Sequence, residues 1–234
     1  TLQALLASGR LGRLVHVESH FDRFRPQVRA RWREAGGPAG GLWIDLGPHL
    51  LDQALQLFGW PQALTADIAA LRDGAQTDDW FDARLRYASG LIVTLHASAL
   101  AACAGPRFVL HGTRGGYRKW GLDAQEDALR AGQRPDPADL AAWGADPQAG
   151  ELRVLPADDL TPNDEPTVQS WPTLNGRYPD YYSAICAALR GQGPNPVPAT
   201  QALAVMRLLA LGRQSAMDRR ELECPPELVG GGAF

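Results

Sequence analysis

The sequence predicts an α+β fold in which a mostly antiparallel open sheet carries its helices packed on one face. Short strand patterns follow one another at 63–72, 79–87, 91–99 and 106–111, and tight turns such as 88–90 separate some of them. Helical patterns flank this series, at about 45–58 and across 178–220. The order is therefore one strand, one helix, a meander of strands and then helices, with no internal repeat.

The N-terminal residues predict a short helix and the first strand. Leucines within residues 2–6 share one helical face, and Gly9 ends the helix. Residues 14–20 alternate, so that Val17 and Ser19 point one way while Glu18 and His20 point the other. An arginine-rich loop at 22–39 separates this strand from the helix that ends near Phe58.

Beyond the meander, residues 121–150 are rich in Ala, Pro, Asp and Gly and predict an excursion with one helix near 123–131. Further strands are expected near 151–155, 167–171 and 220–224, and helices at about 178–191 and 198–220.

Bulk composition narrows the class of protein. The chain has 234 residues, 45% of them hydrophobic, and a net charge of -3, which gives no reason to expect nucleic acid or an anionic membrane as partner. Three widely spaced cysteines show no C-x-x-C pair and indicate a reducing compartment, so we expect a cytoplasmic protein. The longest apolar runs are too short to span a bilayer.

The stretch GGLWIDLGPHLLDQALQLFG, residues 40–59, places an acid and an imidazole one helical turn apart. Asp45 and His49 can belong to an ordinary amphipathic surface helix. With Asp52 they can supply three ligands to a metal ion, although a complete ligand set is not evident elsewhere. They can also serve proton transfer, because histidine titrates near neutral pH and a nearby carboxylate can tune it.

Three segments resemble the C-terminal domain of the Gfo/Idh/MocA oxidoreductase family, with closest similarity to the branch that contains NADP-dependent scyllo-inositol dehydrogenase. They are GRLGRLVHVESHFDRFRP, GGLWIDLGPHLLDQALQLFG and YYSAICAALRGQGPNPVPATQALAVMRLLALGRQSA. The resemblance runs in order from about residue 2 to 220 and is weakest across 121–175. Its most specific element is G-G-x-x-x-D-x-G-x-H, which ends at His49.

The resemblance implies hydride transfer between a nicotinamide cofactor and a sugar- or cyclitol-like alcohol or carbonyl. It implies that His49 acts as general base, that Asp45 contacts the substrate or orients His49, and that a lysine in a Glu-Lys-Pro motif completes the set. Here Lys119 stands in YRKWG instead.

The cofactor half of such an enzyme is not evident in this sequence. GQGPNP at 191–196 follows a helix and contains prolines, so it does not fit a pyrophosphate-binding turn. We therefore expect residues 1–234 to form a single C-terminal substrate-binding and oligomerisation domain. NAD or NADP would be bound mainly by an N-terminal Rossmann domain that this chain lacks, through residues that stay unknown, and the chain alone would be inactive.

Four further residues are predicted to border the substrate. Arg31 and Trp32 closely precede the glycine loop, His20 ends the first strand, and Tyr178 begins a helix. An arginine there can bind a carboxylate or phosphate, or approach a cofactor 2′-phosphate, while the alternative is a solvated loop. A structural role is the alternative for His20, and packing is the alternative for Tyr178. No metal site is expected.

The second face of the meander is half apolar in sequence and predicts a partner sheet. Relatives resembling this chain assemble through that sheet, so a homo-oligomer, either a dimer or a tetramer, is expected. Two rival functions remain open: a non-catalytic binding or assembly module that kept the fold, and a metal-dependent hydrolase.

Overall fold

The computed structural model describes residues 1–37, 39–155 and 165–226, which form one nine-stranded sheet and five helices. The helices are α1 (Leu2–Ala7), α2 (Leu42–Phe58), α3 (Ala124–Arg130), α4 (Tyr178–Leu189) and α5 (Ala199–Asp218). The strands are β1 (Leu14–His20), β2 (Ala63–Ala69), β3 (Trp80–Arg86), β4 (Ile92–Ser98), β5 (Phe108–Gly112), β6 (Gly115–Lys119), β7 (Gly150–Val154), β8 (Thr167–Trp171) and β9 (Leu222–Glu223).

The strand order is β8-β7-β6-β5-β1-β4-β3-β2-β9. Neighbouring strands run antiparallel except β1 and β4, which pair in parallel with His16 opposite Ile92 and His20 opposite His96. The predicted α+β class and mostly antiparallel open sheet are therefore confirmed. The first strand enters the centre of the sheet, between two strands that come much later in the chain.

Helices α2 and α5 pack against each other and against one face of the sheet, as predicted. Trp43 is fully buried at their junction, where its Nε1–H donates to the Leu209 carbonyl at 3.0 Å. Its ring meets Phe81 of β3 edge-on, with centroids 4.9 Å apart. Gly212 of α5 lies directly against this indole, because a Cβ there would stand 2.4 Å from its Cζ2 atom. This seam fixes the position of α2 on the sheet.

Helix α2 begins at Leu42, earlier than the predicted residue 45, because its first amides find a distant partner. The Leu42 and Trp43 N–H groups donate to the carbonyl and side-chain carboxylate of Asp78, at 2.8 and 2.6 Å. Gly41 precedes them with φ of 99°, and a Cβ there would collide with the same carboxylate. Pro48, predicted in the first turn, consequently lies in the second.

Strand β6 is absent from the sequence-based prediction, because Gly115 and Gly116 are typical of a turn. The sheet requires small residues here: a Cβ on Gly115 would lie 2.3 Å from the Arg153 carbonyl of β7. The expected helix near 123–131 and the expected strands near 151–155, 167–171 and 220–224 are found with slightly different bounds. Within the described ranges, no helix is both long and apolar enough to cross a membrane.

The other face of the sheet carries no helix in the part of the chain that the structure describes. Side chains alternate along each strand, so the residues between the buried positions of β1, β3 and β4 point to this face. They are mainly polar and include His16, Glu18 and His20 from β1, Asp82 from β3 and His96 from β4. We call this surface the helix-free face.

Candidate active site

An open cleft of about 840 Å³ lies beside α2, on the helix-bearing side of the sheet. It is bordered by α2, by the loop that follows β1, by the start of β5, by β6 and by residues 121–126. Its size falls within the range of small-molecule sites, roughly 300–1,000 Å³. The cleft is therefore large enough for a sugar-sized substrate.

Helix α2 presents a polar stripe to this cleft. Residues spaced three or four apart share one helical face, which aligns Asp45, His49, Asp52 and Gln56 along the wall. The His49 side chain is exposed, and its ring lies 6.4 Å from that of Phe21 across the cleft. Within the described residues no protein group hydrogen-bonds the His49 imidazole, so both ring nitrogens can reach a bound molecule.

Asp45 is engaged by an arginine rather than by the histidine. Its carboxylate lies 3.2 Å from Nε of Arg33, and no hydrogen bond joins it to His49 in the described part of the chain. No direct contact between the two side chains therefore supports the expectation that Asp45 orients His49. The neutralised carboxylate still faces the cleft, where it can accept hydrogen bonds from a ligand.

Arg31 lines the cleft, as predicted, but it is held by an acid. Its Nε donates to buried Glu34 at 2.6 Å, and the same carboxylate receives the Arg29 amide and pairs with Arg72 at 3.1 Å. Burial opposes ionisation of Glu34, yet these bonds and charges hold its pKa below the ordinary value. This network fixes the arginine loop beside α2.

Arg23 and Arg25 also line the cleft, and within the described residues neither has a carboxylate within ion-pair distance. The Arg23 guanidinium lies over the Phe21 ring, 4.8 Å from its centroid. Burial lowers the pKa of both arginines, although both remain cationic at neutral pH. These two side chains are the arginines best able to bind an anionic or hydroxyl group of a ligand.

Sequence reasoning missed two cations of the cleft wall, Arg107 and Lys119. Arg107 is buried and donates to Ser19 and Gln53, and burial lowers its pKa to about 10. Lys119 ends β6 and pairs with Asp146 at 2.8 Å. No local sequence pattern predicts that either residue lines the cleft, because both reach it through the antiparallel pairing of β5 with β6. Recognition of β6 as a strand is the signal that was missing.

The remaining predicted residues divide between the cleft and the outer surface. Tyr178 lines the cleft at the start of α4, where its N–H donates to Gln125 at 2.8 Å, and burial raises its pKa. Trp32 is 64% exposed, stacks under Arg33 and does not line the cleft. His20 lies on the helix-free face, so the prediction that it borders this cleft is wrong. Strand alternation directs it away from α2.

Two ligand hypotheses can be tested on these side chains. The set of Asp45, His49 and Asp52 does not come together as a group of metal ligands in the described residues. The glycine loop before α2 does not fit a dinucleotide pyrophosphate, because Asp78 already occupies the first amides of the helix. The first amides of α2 are therefore not free to bind a phosphate group.

Comparison with known proteins agrees with the fold. Residues 1–118 match the family model described as the GFO/IDH/MocA C-terminal domain. The chain is 50% identical over 222 residues to "Uncharacterized oxidoreductase YdgJ" of Escherichia coli (strain K12), a match that covers 95% of this chain and 61% of that protein. It is 36% identical over 224 residues to scyllo-inositol 2-dehydrogenase (NADP(+)) IolW of Bacillus subtilis (strain 168), covering 95% and 60%.

Among solved structures, the YPO2259 oxidoreductase of Yersinia pestis matches with a TM-score of 0.86 and 48% identity, covering 96% of this chain and 60% of that one. The chain thus spans about three fifths of the length of these relatives. Because the family model covers half of the chain and the relatives match nearly all of it, the chain belongs to the Gfo/Idh/MocA oxidoreductase family.

Proposed function

We propose that this chain is the substrate-binding half of an NAD(P)-dependent oxidoreductase that acts on a sugar- or cyclitol-like alcohol or carbonyl. The observation that carries this proposal is His49, an exposed imidazole without a protein partner in the described residues, presented to a sugar-sized cleft by a rigid helix. A purely structural histidine is normally satisfied by neighbouring groups. An imidazole left open in a cleft is suited to proton transfer.

In this proposal His49 accepts the hydroxyl proton of the alcohol, or returns it in the reverse direction. Asp45, screened by Arg33, accepts a hydrogen bond from a neighbouring hydroxyl, and the Arg23 and Arg25 guanidinium groups bind the far end of the substrate. Tyr178 lies at the opposite rim and can donate a further hydrogen bond. Arg31 contributes through the position of its loop, because Glu34 holds its guanidinium.

The cofactor is NAD or NADP, which supplies or removes the hydride when bound. The described residues offer no pyrophosphate site, and the chain covers about 61% of its relative YdgJ. We therefore propose that a separate dinucleotide-binding domain holds the cofactor against the open side of the cleft. The relative IolW is named for NADP(+), which supports a nicotinamide cofactor for this chain but does not decide between NAD and NADP.

Homo-oligomerisation through the sheet is also part of the proposal. The helix-free face exposes a broad layer of strand residues, including Trp80, Ile92 and Val109 among its polar groups. A second copy of the chain could cover these apolar side chains. We expect analytical ultracentrifugation to show a dimer or tetramer. Trp80→Glu should shift the protein towards the monomer.

The first experiment is calorimetric titration of NADH and NADPH into the isolated, folded chain, where no heat of binding is expected. The second compares His49→Gln with Gln192→Ala in the full-length oxidoreductase. Loss of a general base lowers kcat by about 10²- to 10⁴-fold, whereas Gln192, exposed after α4 and outside the cleft, should leave kcat within severalfold. Equal rates for wild type and His49→Gln would favour a non-catalytic module. Micromolar binding of NADH or NADPH by the chain alone would overturn the proposal that a separate domain binds the cofactor.

A further inference from the structure

Four of the five histidines of the chain lie on the helix-free face, away from the cleft. The parallel register of β1 and β4 places His20 directly beside His96. Asp22 follows His20 by two residues, and its carboxylate lies between the two rings. Three half-buried side chains of types that bind metal ions therefore meet at one point, two from the end of β1 and one from β4.

The inner nitrogens of both histidines face the same carboxylate. Nδ1 of His20 lies 3.6 Å from Oδ2 of Asp22, and Nε2 of His96 lies 3.5 Å from Oδ1. A tetrahedral zinc ion with bonds of about 2.0–2.1 Å holds neighbouring ligand atoms about 3.4 Å apart. Each observed separation, measured to a different oxygen of Asp22, is close to that ligand–ligand distance and longer than a typical hydrogen bond.

Each outer nitrogen faces a carboxylate. Nε2 of His20 lies 3.0 Å from Oε2 of Glu18, and Nδ1 of His96 lies 3.4 Å from Oδ2 of Asp82. In metal sites a ligating histidine usually donates its second N–H to such a group, which sets the tautomer and the ring orientation. If each outer nitrogen carries its proton toward its carboxylate, each inner nitrogen presents a lone pair to Asp22.

One oxygen of Asp22 lacks a hydrogen bond, although the carboxylate as a whole lies within ion-pair distance of both imidazoles. Its Oδ1 atom is buried and makes no hydrogen bond. A buried carboxylate oxygen without a hydrogen bond is energetically unfavourable, and two lone pairs directed at it would add electrostatic repulsion. A cation at the common point would satisfy all three groups at once.

We propose that His20, Asp22 and His96 bind one divalent transition-metal ion of the zinc class. Two imidazoles and a carboxylate suit first-row metals such as Zn²⁺ and Co²⁺, and a water molecule completes the coordination. The site ties the end of β1 to β4, on the face opposite to His49. It is separate from the proposed redox chemistry and does not depend on it.

A second, more open group lies next to this one. His16, Glu18 and His111 also come within metal-binding reach of each other, and the two imidazole rings stack with centroids 6.0 Å apart. His111 is exposed, and Nε2 of His16 is engaged by Thr94 at 3.2 Å. This group lacks the outer carboxylates of the first, so His111 provides a matched control.

The test is calorimetric titration of Zn²⁺ into the tag-free chain after treatment with a chelator. We expect one tight ion per chain, lost in Asp22→Asn and His96→Gln but retained in His111→Gln. Asp82→Asn should weaken binding by about 10- to 100-fold, because it removes only the carboxylate charge that faces the outer nitrogen of His96. Circular dichroism of each metal-free variant checks that it is folded.

Wild-type protein alone can also decide the matter, through the visible absorption of Co²⁺. Four-coordinate cobalt bound by nitrogen and oxygen gives strong bands in the visible range, without a sulfur-to-metal band in the near ultraviolet. No saturable binding, a thiolate band, equal Zn²⁺ affinity in His96→Gln, or loss of binding in His111→Gln would each overturn the proposal.

Discussion

Replacing Gly212 by alanine tests whether the seam between α2 and α5 is as tightly packed as the structure indicates. The new Cβ would lie 2.4 Å from Cζ2 and 3.1 Å from Cη2 of Trp43. The indole cannot retreat easily, because it is fully buried against Phe81 and is hydrogen-bonded to Leu209. The substitution therefore forces two packed helices apart.

Two opposing terms set the size of the effect. Alanine is favoured over glycine inside a helix by about 1 kcal/mol. Overpacking of a rigid core is unfavourable by about 1–3 kcal/mol, and so short a contact belongs at the upper end. We expect Gly212→Ala to lower the free energy of unfolding by about 2 kcal/mol, since the steric term exceeds the helical gain.

Urea unfolding followed by far-ultraviolet circular dichroism measures this change without relying on tryptophan emission. The same substitution in a Trp43→Phe background should be neutral or stabilising, because phenylalanine lacks the benzo ring atoms that cause the clash. Ala210→Gly, on the exposed side of α5, gives the helical term alone, expected near 1 kcal/mol. A Gly212→Ala variant that is more stable than wild type, or equally penalised in both backgrounds, would refute the reasoning.

Two further predictions concern the polar groups that position α2 and the arginine loop. Glu34→Gln should destabilise the chain by about 1.5–3 kcal/mol in urea titrations, because it weakens the charge-assisted bond of this carboxylate to the Arg31 side chain. Buried Arg72 loses one acid but keeps its ion pair with Asp79. The pKa of Glu34 is lowered in the folded state, so the stability difference between wild type and Glu34→Gln should have its full size above pH 4.5. It should decrease as the pH falls through the pKa of Glu34 in the folded protein. A stability difference that does not change with pH would contradict this prediction. Asp78→Ala removes the side chain that caps α2 and should lower the free energy of unfolding by about 0.5–2 kcal/mol. The control is Asp73→Ala, which removes an exposed acid of the same loop. A loss of similar size in the control would argue against a specific cap.

Local sequence patterns correctly predicted those features that depend only on residues close together in the sequence. The i,i+4 spacing of Asp45 and His49 correctly places both on the cleft-facing stripe of α2, because helical geometry fixes it. The predicted start of α2 was too late, because the cap of this helix comes from Asp78, which lies just before β3 and far from α2 in sequence. Strand β6 was missed, because Gly115 is required by the backbone of β7 rather than by its own neighbours.

The assignment of residues to the cleft or to the opposite face needed the tertiary structure. The alternation of β1 correctly separates Val17 and Ser19 from Glu18 and His20, yet a period of two does not state which side carries the helices. His20 was therefore assigned to the wrong side. Arg107 reaches the cleft because β5 pairs with β1 as well as with β6, and a single sequence does not reveal the first of these pairings.

The central position of β1 has a consequence for how the chain acquires its structure. β1 emerges first during synthesis, yet both of its partners, β4 and β5, are made long afterwards. The hairpin-linked strands β2, β3 and β4 can associate early, since their contacts are local. The sheet becomes continuous only when β1 inserts between β4 and β5, a step with high loop-closure entropy. We expect this insertion to limit the refolding rate, so substitutions in β1 should slow folding more than equally destabilising substitutions in β2.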